Sequence, residues 1–432
     1  MSNNGVRTEF LTGAAGTGKT FTIKKRIEDD PGCAILCATT GVAAVNLDTV
    51  TINSVLGYYD TSSLIDKYVR GYLHQKLRKL AKSSSRPLDI VIDEVSMMHA
   101  EQLDTIYKAI QEVNYGTESA EPLEHPLGLT LTGDFCQLPP VKGRWAFQAD
   151  AWPEFAANVN RLTKIWRQSD PAFLDAINAA RRGDGPTAAA GLRSLGANFS
   201  IAVDLDFDGT TIVAKNDEAD RFNAQRLLKI KAPSFALQTV RSGVQSSEWK
   251  NIPDRIILKP GALVMLLANK KGPMGCGFQY VNGDLAHVVE HSDSACLTDW
   301  KGEEYAAEAV RVTSVRTGET FWIERIVREN KVRDEPGPSD PPILHIAEDG
   351  QYVIGTVDWF PMRLGYCSTV HKSQGLSLDR VQLDCRDGFF GAPSMAYVAL
   401  SRARTVQGMR IVGGAELLAR RVKLNPEVTK WL

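Results

Sequence analysis

The sequence predicts an α/β protein built on a doubly wound parallel sheet, and three kinds of stretch carry that prediction. Leu11-Thr-Gly-Ala-Ala-Gly-Thr-Gly-Lys-Thr20 has the G-x-x-x-x-G-K-[ST] spacing of a phosphate-binding loop. Leu88-Asp-Ile-Val-Ile-Asp93-Glu94 is a β-branched apolar run ending in two carboxylates, as a strand buried on both faces should read. Cys33–Ala38 and Leu127–Thr132 add two more apolar runs of strand length.

The elements follow in chain order. Thr8–Thr12 reads as a short strand and Phe21–Ile27 has the apolar spacing of a helix, so the Gly-rich loop lies between a strand and a helix N-terminus. That context aims the backbone N–H groups of Gly13, Ala14, Ala15, Gly16, Thr17 and Gly18 at a β-phosphate, and the helix dipole adds to them. Lys19 then reaches the β- and γ-phosphates, and the Thr20 hydroxyl ligates Mg²⁺. Asp93, at the end of its strand, is placed to hold Mg²⁺ through water, with Glu94 polarising the attacking water. Acidic pairs at strand ends are often inert; beside a phosphate loop they point to hydrolysis of a nucleoside triphosphate such as ATP.

These features alone allow a kinase, a GTPase or a motor. Leu131–Val141, with the sequence LTGDFCQLPPV, follows a strand and brings the amide of Gln137 toward a γ-phosphate. Far downstream, Thr369-Val-His-Lys-Ser-Gln-Gly375 and Tyr397-Val-Ala-Leu-Ser-Arg-Ala-Arg404 are polar, basic segments bounded by apolar runs. A motor needs a second domain that closes on the nucleotide and supplies a cation, and Arg402 suits an arginine finger.

Composition sets bounds. At 432 residues two or three domains are expected. Hydrophobic content of 43% with 23% charged residues describes a globular chain, and no apolar run nears the roughly 18 residues of a membrane span. No basic-then-apolar leader opens the sequence, and the seven cysteines form no C-x-x-C pair, so a cytoplasmic protein with reduced thiols is expected. His287 and His291 are four residues apart in a β-rich stretch, where such residues share a face; the pair is read as incidental. The net charge of −1 excludes a surface coated in basic groups but not a local basic channel.

In order, GAAGTGKT, ATTGVAAVNL with TINSVLG, VIDEVSMM, GDFCQLPPV, LTKIWRQSD, LKPGALVMLLANK with VNGD, STVHKSQGLSLD and YVALSRAR resemble the motifs of superfamily 1B DNA helicases. The resemblance is to the PIF-type (petite integration frequency) group, related to the RecD and Dda helicases. It runs from Leu11 to about Ile411 and is most diagnostic in its second half. It implies two RecA-like motor domains, at 1–155 and at 156–285 with 362–432. It also implies a wedge inserted at 54–87 and a Src-homology-3-like β-barrel at 286–361, around the Pro-rich loop Arg333–Pro342. Gln137 then matches the γ-phosphate sensor, Arg167 the second-domain arginine, Arg402 the finger and Gly375 a nucleotide neighbour. Thr40, Gly41, Asn53, Thr369, His371 and Lys372 match single-strand DNA contacts.

There are departures. Ala38-Thr-Thr-Gly41 stands where the group has A-P-T-G, and Asn53 replaces the His of T-I-H-S, offering less stacking surface. The excursion at 54–87 carries Lys67, Arg70, Lys76, Arg78, Lys79, Lys82 and Arg86 against Asp60 and Asp66, which fits either a solvated helical face or a wedge at a fork. Tyr58, Tyr59 and Tyr72 are candidate fork rings or plain structural residues. The group's leading helix carries an adenine-reading Gln, yet only Met1–Phe10 stand before the loop here, with no Gln among them.

The resemblance implies an ATP- and Mg²⁺-dependent monomer that tracks single-stranded DNA 5′→3′ and opens forked duplexes, in replication, repair or recombination and with no membrane partner. An ATPase that remodels protein–DNA complexes without separating strands fits the same motifs. A non-motor binding subunit fits them less well, since Lys19, Asp93, Glu94, Gln137 and Arg402 are all present.

Overall fold

The computed structural model describes residues 6–47, 49–117, 120–166, 170–246, 249, 252–268, 270–271, 278–280, 284–298, 303–332, 342–347 and 350–432. The chain divides into two compact units, Met1–Ala219 with Ser368–Leu432, and Asp220–Cys367.

The first unit holds a six-stranded sheet in the order Val50–Thr51, Ala34–Ala38, Leu88–Asp93, Leu127–Gly133, Thr8–Gly13, Val159–Leu162, with every neighbour parallel. Phe10, Leu11, Ile90, Ile92, Leu129 and Leu131 are fully buried, as strands covered on both faces require. The register sets Thr12 beside Gly133 and Ile92 beside Leu131. Three strands therefore end along one edge, and the phosphate loop, Glu94 and the Asp134–Gln137 turn leave it side by side. The helix after the loop runs Lys19–Asp29, longer at both ends than its apolar spacing indicated.

A second, five-stranded sheet lies in the same unit, ordered Cys367–Thr369, Thr210–Val213, Val381–Asp384, Met409–Val412, Asn198–Ser200, with its last four strands parallel. The doubly wound parallel class expected from the sequence is the class observed. The chain then returns to the first sheet: Trp431, in the turn Pro426–Trp431, packs among Phe10, Phe135 and Trp152, with ring centroids 5.1 to 5.7 Å apart.

The basic excursion is helical. Asp60 caps Thr61–Val69 through a capping box with Ser63, Gly71 turns the chain at φ 77, and Tyr72–Ala81 follows. Leu73, Leu77, Leu80 and Ala81 recur at helical spacing and are buried, so this helix has a core face as well as a charged one. The pair docks on the helix Ala100–Tyr115, where Glu112 accepts from the Tyr68 hydroxyl at 2.8 Å and meets His74 Nε2 at 2.6 Å. Tyr58 is buried, whereas Tyr59 and Tyr72 are exposed.

The second unit is antiparallel and β-rich. One sheet runs Thr320–Glu324, Glu304–Ser314, Leu285–Thr298, Leu263–Leu266, Met362–Leu364. Another pairs Val240–Gly243 and Ile326–Val332 with Tyr352–Trp359. Val264, Val288, Val310, Val312, Ile323 and Phe360 form the core. The 286–361 stretch lies inside this unit, and its Src-homology-3-like closure stays an implication of the resemblance. Residues 333–341 of the Pro-rich loop are outside the described residues. No helix among the described residues is long and apolar enough to cross a membrane.

Candidate active site

A cavity of about 730 Å³ opens at the carboxyl edge of the six-stranded sheet. Its floor is the phosphate loop. Gly16 and Gly18 adopt φ of 83 and 84, a left-handed backbone suited to glycine. A Cβ on Gly13 would stand 2.5 Å from the Leu162 carbonyl oxygen, so no larger residue fits there. Lys19 is 9% exposed, and its ammonium donates to the carbonyls of Gly13 and Ala14 at 2.9 and 3.2 Å. It is thereby held over the loop that its charge serves.

The acidic wall comes from the end of Leu88–Asp93. Thr20 Oγ1 donates to Asp93 Oδ2 at 3.0 Å, and the Glu94 amide donates to Asp93 Oδ1 at 2.8 Å. Burial pushes both carboxyls up, and for Glu94 the neighbouring Asp93 charge adds to burial to carry it to about 7. Glu94 also sits at φ 56, a costly conformation for a side chain of its kind, which turns it toward the cavity at the strand end.

The second sheet supplies the opposite wall. Gln374 Nε2 donates to Glu94 Oε2 at 3.1 Å and to Gln137 Oε1 at 3.3 Å. Gly375, Ser377, Arg402 and Arg404 line the cavity beside it. Arg402 is 1% exposed; its guanidinium donates to the Val398 and Leu376 carbonyls and to Ser401 Oγ, which orient it from behind. The structure thus gathers Lys19, Thr20, Asp93, Glu94, Gln137, Gly375 and Arg402 around one space. Arg167 lies outside the described residues.

Several contributors were not singled out from the sequence. Trp166 donates its amide to the Gly16 carbonyl at 2.8 Å and lines the cavity at 67% exposure, with Lys164 Nζ 3.6 Å from its ring centroid. Phe21 and Lys24 line the same outer end. An aromatic immediately before the arginine of IWRQ was the available signal for Trp166. Deeper in, Asp134 accepts from Arg181 and from the Tyr397 hydroxyl; no local pattern announces partners so far apart.

The residues matched to DNA contacts fall in two groups, one beside an edge strand of each sheet. Ala38 pairs with Thr51, so Thr40–Gly41 and Ile52–Asn53 follow from adjacent strand ends. Thr40 Oγ1 accepts the Ala43 amide, Gly41 is exposed at the start of the helix Gly41–Leu47, and Asn53 Nδ2 donates to the Tyr59 carbonyl. Thr369 is buried at the end of its strand and accepts from the Lys372 amide, while His371 is exposed in the turn His371–Ser373.

His287 and His291 fall on opposite faces, because a bulge between Val288 and Glu290 shifts the strand register by one residue. His291 stacks on Phe235 with ring centroids 4.8 Å apart and shares Glu308 with Arg325. With Asp293 these form the one group of three possible metal donors among the described residues.

Fold and cavity together define a P-loop nucleotide-binding protein whose site is assembled from two parallel sheets. Residues 1–182 match the family model described as PIF1-like helicase. The ATP-dependent DNA helicase PIF1 of Emericella nidulans is 26% identical, over 98% of this chain and 60% of its own length. The ATP-dependent DNA helicase Pif1 of Bdellovibrio bacteriovorus is 28% identical, over 94% of this chain and 84% of its own. The crystal structure of the Candida albicans Pif1 helicase superimposes with a TM-score of 0.67 at 25% identity, covering 98% of this chain and 95% of that one. The likeness to Pif1-type helicases is thus found in the family model over the first 182 residues, in the curated relatives and in the solved fold. It spans about three-fifths of the Emericella relative.

Proposed function

We propose that the chain is an ATP-dependent DNA helicase that moves 5′→3′ on single-stranded DNA and opens forked duplexes. The observation that carries this reading is the two-walled cavity, in which Gln374 and Arg402 from one sheet meet Glu94, Gln137 and Lys19 from the other. Lys19 and the loop amides bind the β- and γ-phosphates, Glu94 takes the proton of the attacking water, and Arg402 meets charge developing on the γ-phosphoryl group. The hydroxyl of Thr20 and the carboxylate of Asp93 are hard oxygen donors 3.0 Å apart, a set that suits Mg²⁺. That ion would supply charge neutralisation on the phosphates. Because both walls contact the same triphosphate, its hydrolysis alters how strongly the two sheets are held together, and alternating grip on a strand turns that into movement. The DNA grip is assigned to Thr40, Gly41, Asn53, Thr369, His371 and Lys372, and the helical excursion at 54–87 to the fork. Backbone contacts of this kind predict binding that tolerates any sequence and weakens with salt.

Duplexes carrying either a 5′ or a 3′ tail, incubated with ATP and Mg²⁺, test the reading. Unwinding of the 5′-tailed substrate alone is expected, with hydrolysis raised strongly by single strands and little by blunt duplex. Streptavidin displacement without strand separation would favour the remodelling ATPase instead.

A further inference from the structure

Tyr397 is buried on the helix Met395–Leu400, five residues before Arg402, and its hydroxyl is fully used. It accepts the amide N–H of Ala15, inside the phosphate loop, at 2.9 Å. It donates to Asp134 Oδ2 at 3.0 Å. Asp134, 0% exposed, is gripped by Arg181 through Nε at 3.2 Å and Nη2 at 2.9 Å. Its own carbonyl accepts the Gln137 amide at 2.9 Å. A carboxylate can only accept, so the phenol's single hydrogen must point to Asp134 and its lone pair to Ala15. The direction of every bond in the chain is therefore determined, and burial together with the Asp134 charge keeps the phenol protonated.

We infer that Tyr397 is a positioning residue which ties the phosphate loop and the Gln137 turn to the helix leading to Arg402, so that loop, sensor and finger take their places as one hydrogen-bonded body. The inference rests on the proposed hydrolysis. Its physical basis is the cost of the alternative. Without the hydroxyl, the Ala15 N–H is left buried and unpaired, and Asp134 loses one of its donors. The loop would then drift relative to Arg402. Small misplacements of this sort lower turnover while leaving ground-state binding of the triphosphate largely in place.

Tyr397→Phe removes one oxygen and keeps the ring, so the packing around it survives. Amide hydrogen exchange of peptides spanning residues 11–20 is expected to quicken by about fivefold or more, the equivalent of one net hydrogen bond. Single-strand-stimulated hydrolysis of ATP is expected to fall about tenfold or more in kcat, with KM within about threefold. Asp134→Asn, measured in parallel, should loosen the same peptides, since an amide keeps one accepting oxygen where the carboxylate uses both, Oδ1 for Arg181 Nη2 and the Cys136 amide and Oδ2 for Arg181 Nε and Tyr397. Unchanged exchange in the loop would overturn the inference. So would faster exchange with kcat within about twofold of the parent, because Tyr397 would then only support the fold. If the parent itself hydrolyses no triphosphate, the proposed function falls, and the exchange measurement still decides whether Tyr397 holds the loop.

Discussion

The two ends of the cavity are built differently. At the phosphate end, Asp134, Gln137, Asp93 and Arg402 are each no more than 5% exposed, and each is held by two or more hydrogen bonds. At the outer end Trp166 and Phe21 are 67% and 71% exposed, and Trp166 is held to the loop by a backbone bond and a lysine over its ring. The inner end is preorganised for charged oxygens, whose positions vary little between nucleotides. The outer end offers apolar ring surface, which any base can meet. The contrast teaches that this site specifies the reaction more tightly than it specifies the nucleobase.

The largest expected effect is at the inner end. Arg402→Ala should bind nucleotide and single-stranded DNA much as the parent does and lose at least ~10²-fold in turnover, a cautious figure beneath the ~10³–10⁵ of arginine fingers generally. Turnover near the parent's, in a steady-state assay, would remove Arg402 from the mechanism and with it half of the contrast.

Next comes the buried ion pair. Asp134→Ala leaves Arg181 without its carboxylate in the interior, and a loss of about 3–5 kcal/mol in denaturant unfolding is expected. Burial pushes the Asp134 carboxyl up, but the Arg181 guanidinium outweighs it and holds the group below the usual carboxylate range. The pair's contribution is therefore full above the ordinary carboxylate pKa and lost as pH falls through the lowered folded value. The gap between parent and variant should narrow on acidification below about pH 4. A gap that widens there would contradict the ionised pair.

At the outer end the effects shrink. Trp166→Ala should raise KM for ATP about three- to tenfold with kcat within about twofold, the worth of one aromatic stacking contact. A large fall in kcat would place Trp166 with the inner end.

The smallest effect concerns base choice. Hydrolysis of GTP should stay within about tenfold of ATP at subsaturating concentration, since the exposed rings of Trp166 and Phe21 can meet either base and a single ring-edge hydrogen bond is worth ~1 kcal/mol. A thousandfold preference for ATP would mean that a ring-edge partner reads adenine, and the outer end would be as specific as the inner one.

Much of this site could be read in advance because its parts are local. A strand, a Gly-rich turn and a helix N-terminus specify a phosphate loop within about twenty residues of sequence. The acidic pair at the end of Leu88–Asp93 follows from the same strand logic. The basic excursion showed as a run of charge, but its apolar face toward Ala100–Tyr115 had to compete with seven cations for notice. The spacing of His287 and His291 did not keep them on one face for a concrete reason: a β-bulge between Val288 and Glu290 adds one residue to the strand and reverses the face of the residues up to the next register shift, after Ser292.

By itself the sequence determined which residues line the cavity, Lys19, Thr20, Asp93, Glu94, Gln137 and Arg402 among them, and which sheet class carries them. For Lys19, Thr20, Asp93 and Glu94 local backbone geometry imposes those residue types at those spacings, so they can be read without a partner, whereas Gln137 and Arg402 were read from motifs farther along the chain. The tertiary structure alone decided the rest. The Tyr397 hydroxyl meets the Ala15 amide across 382 residues, Asp134 pairs with Arg181 across 47, and Trp431 closes an aromatic cluster begun at Phe10. Hydrogen bonds and ring contacts act over a few ångströms of space and impose no periodicity on the chain, so these pairings exist only once both sheets have formed.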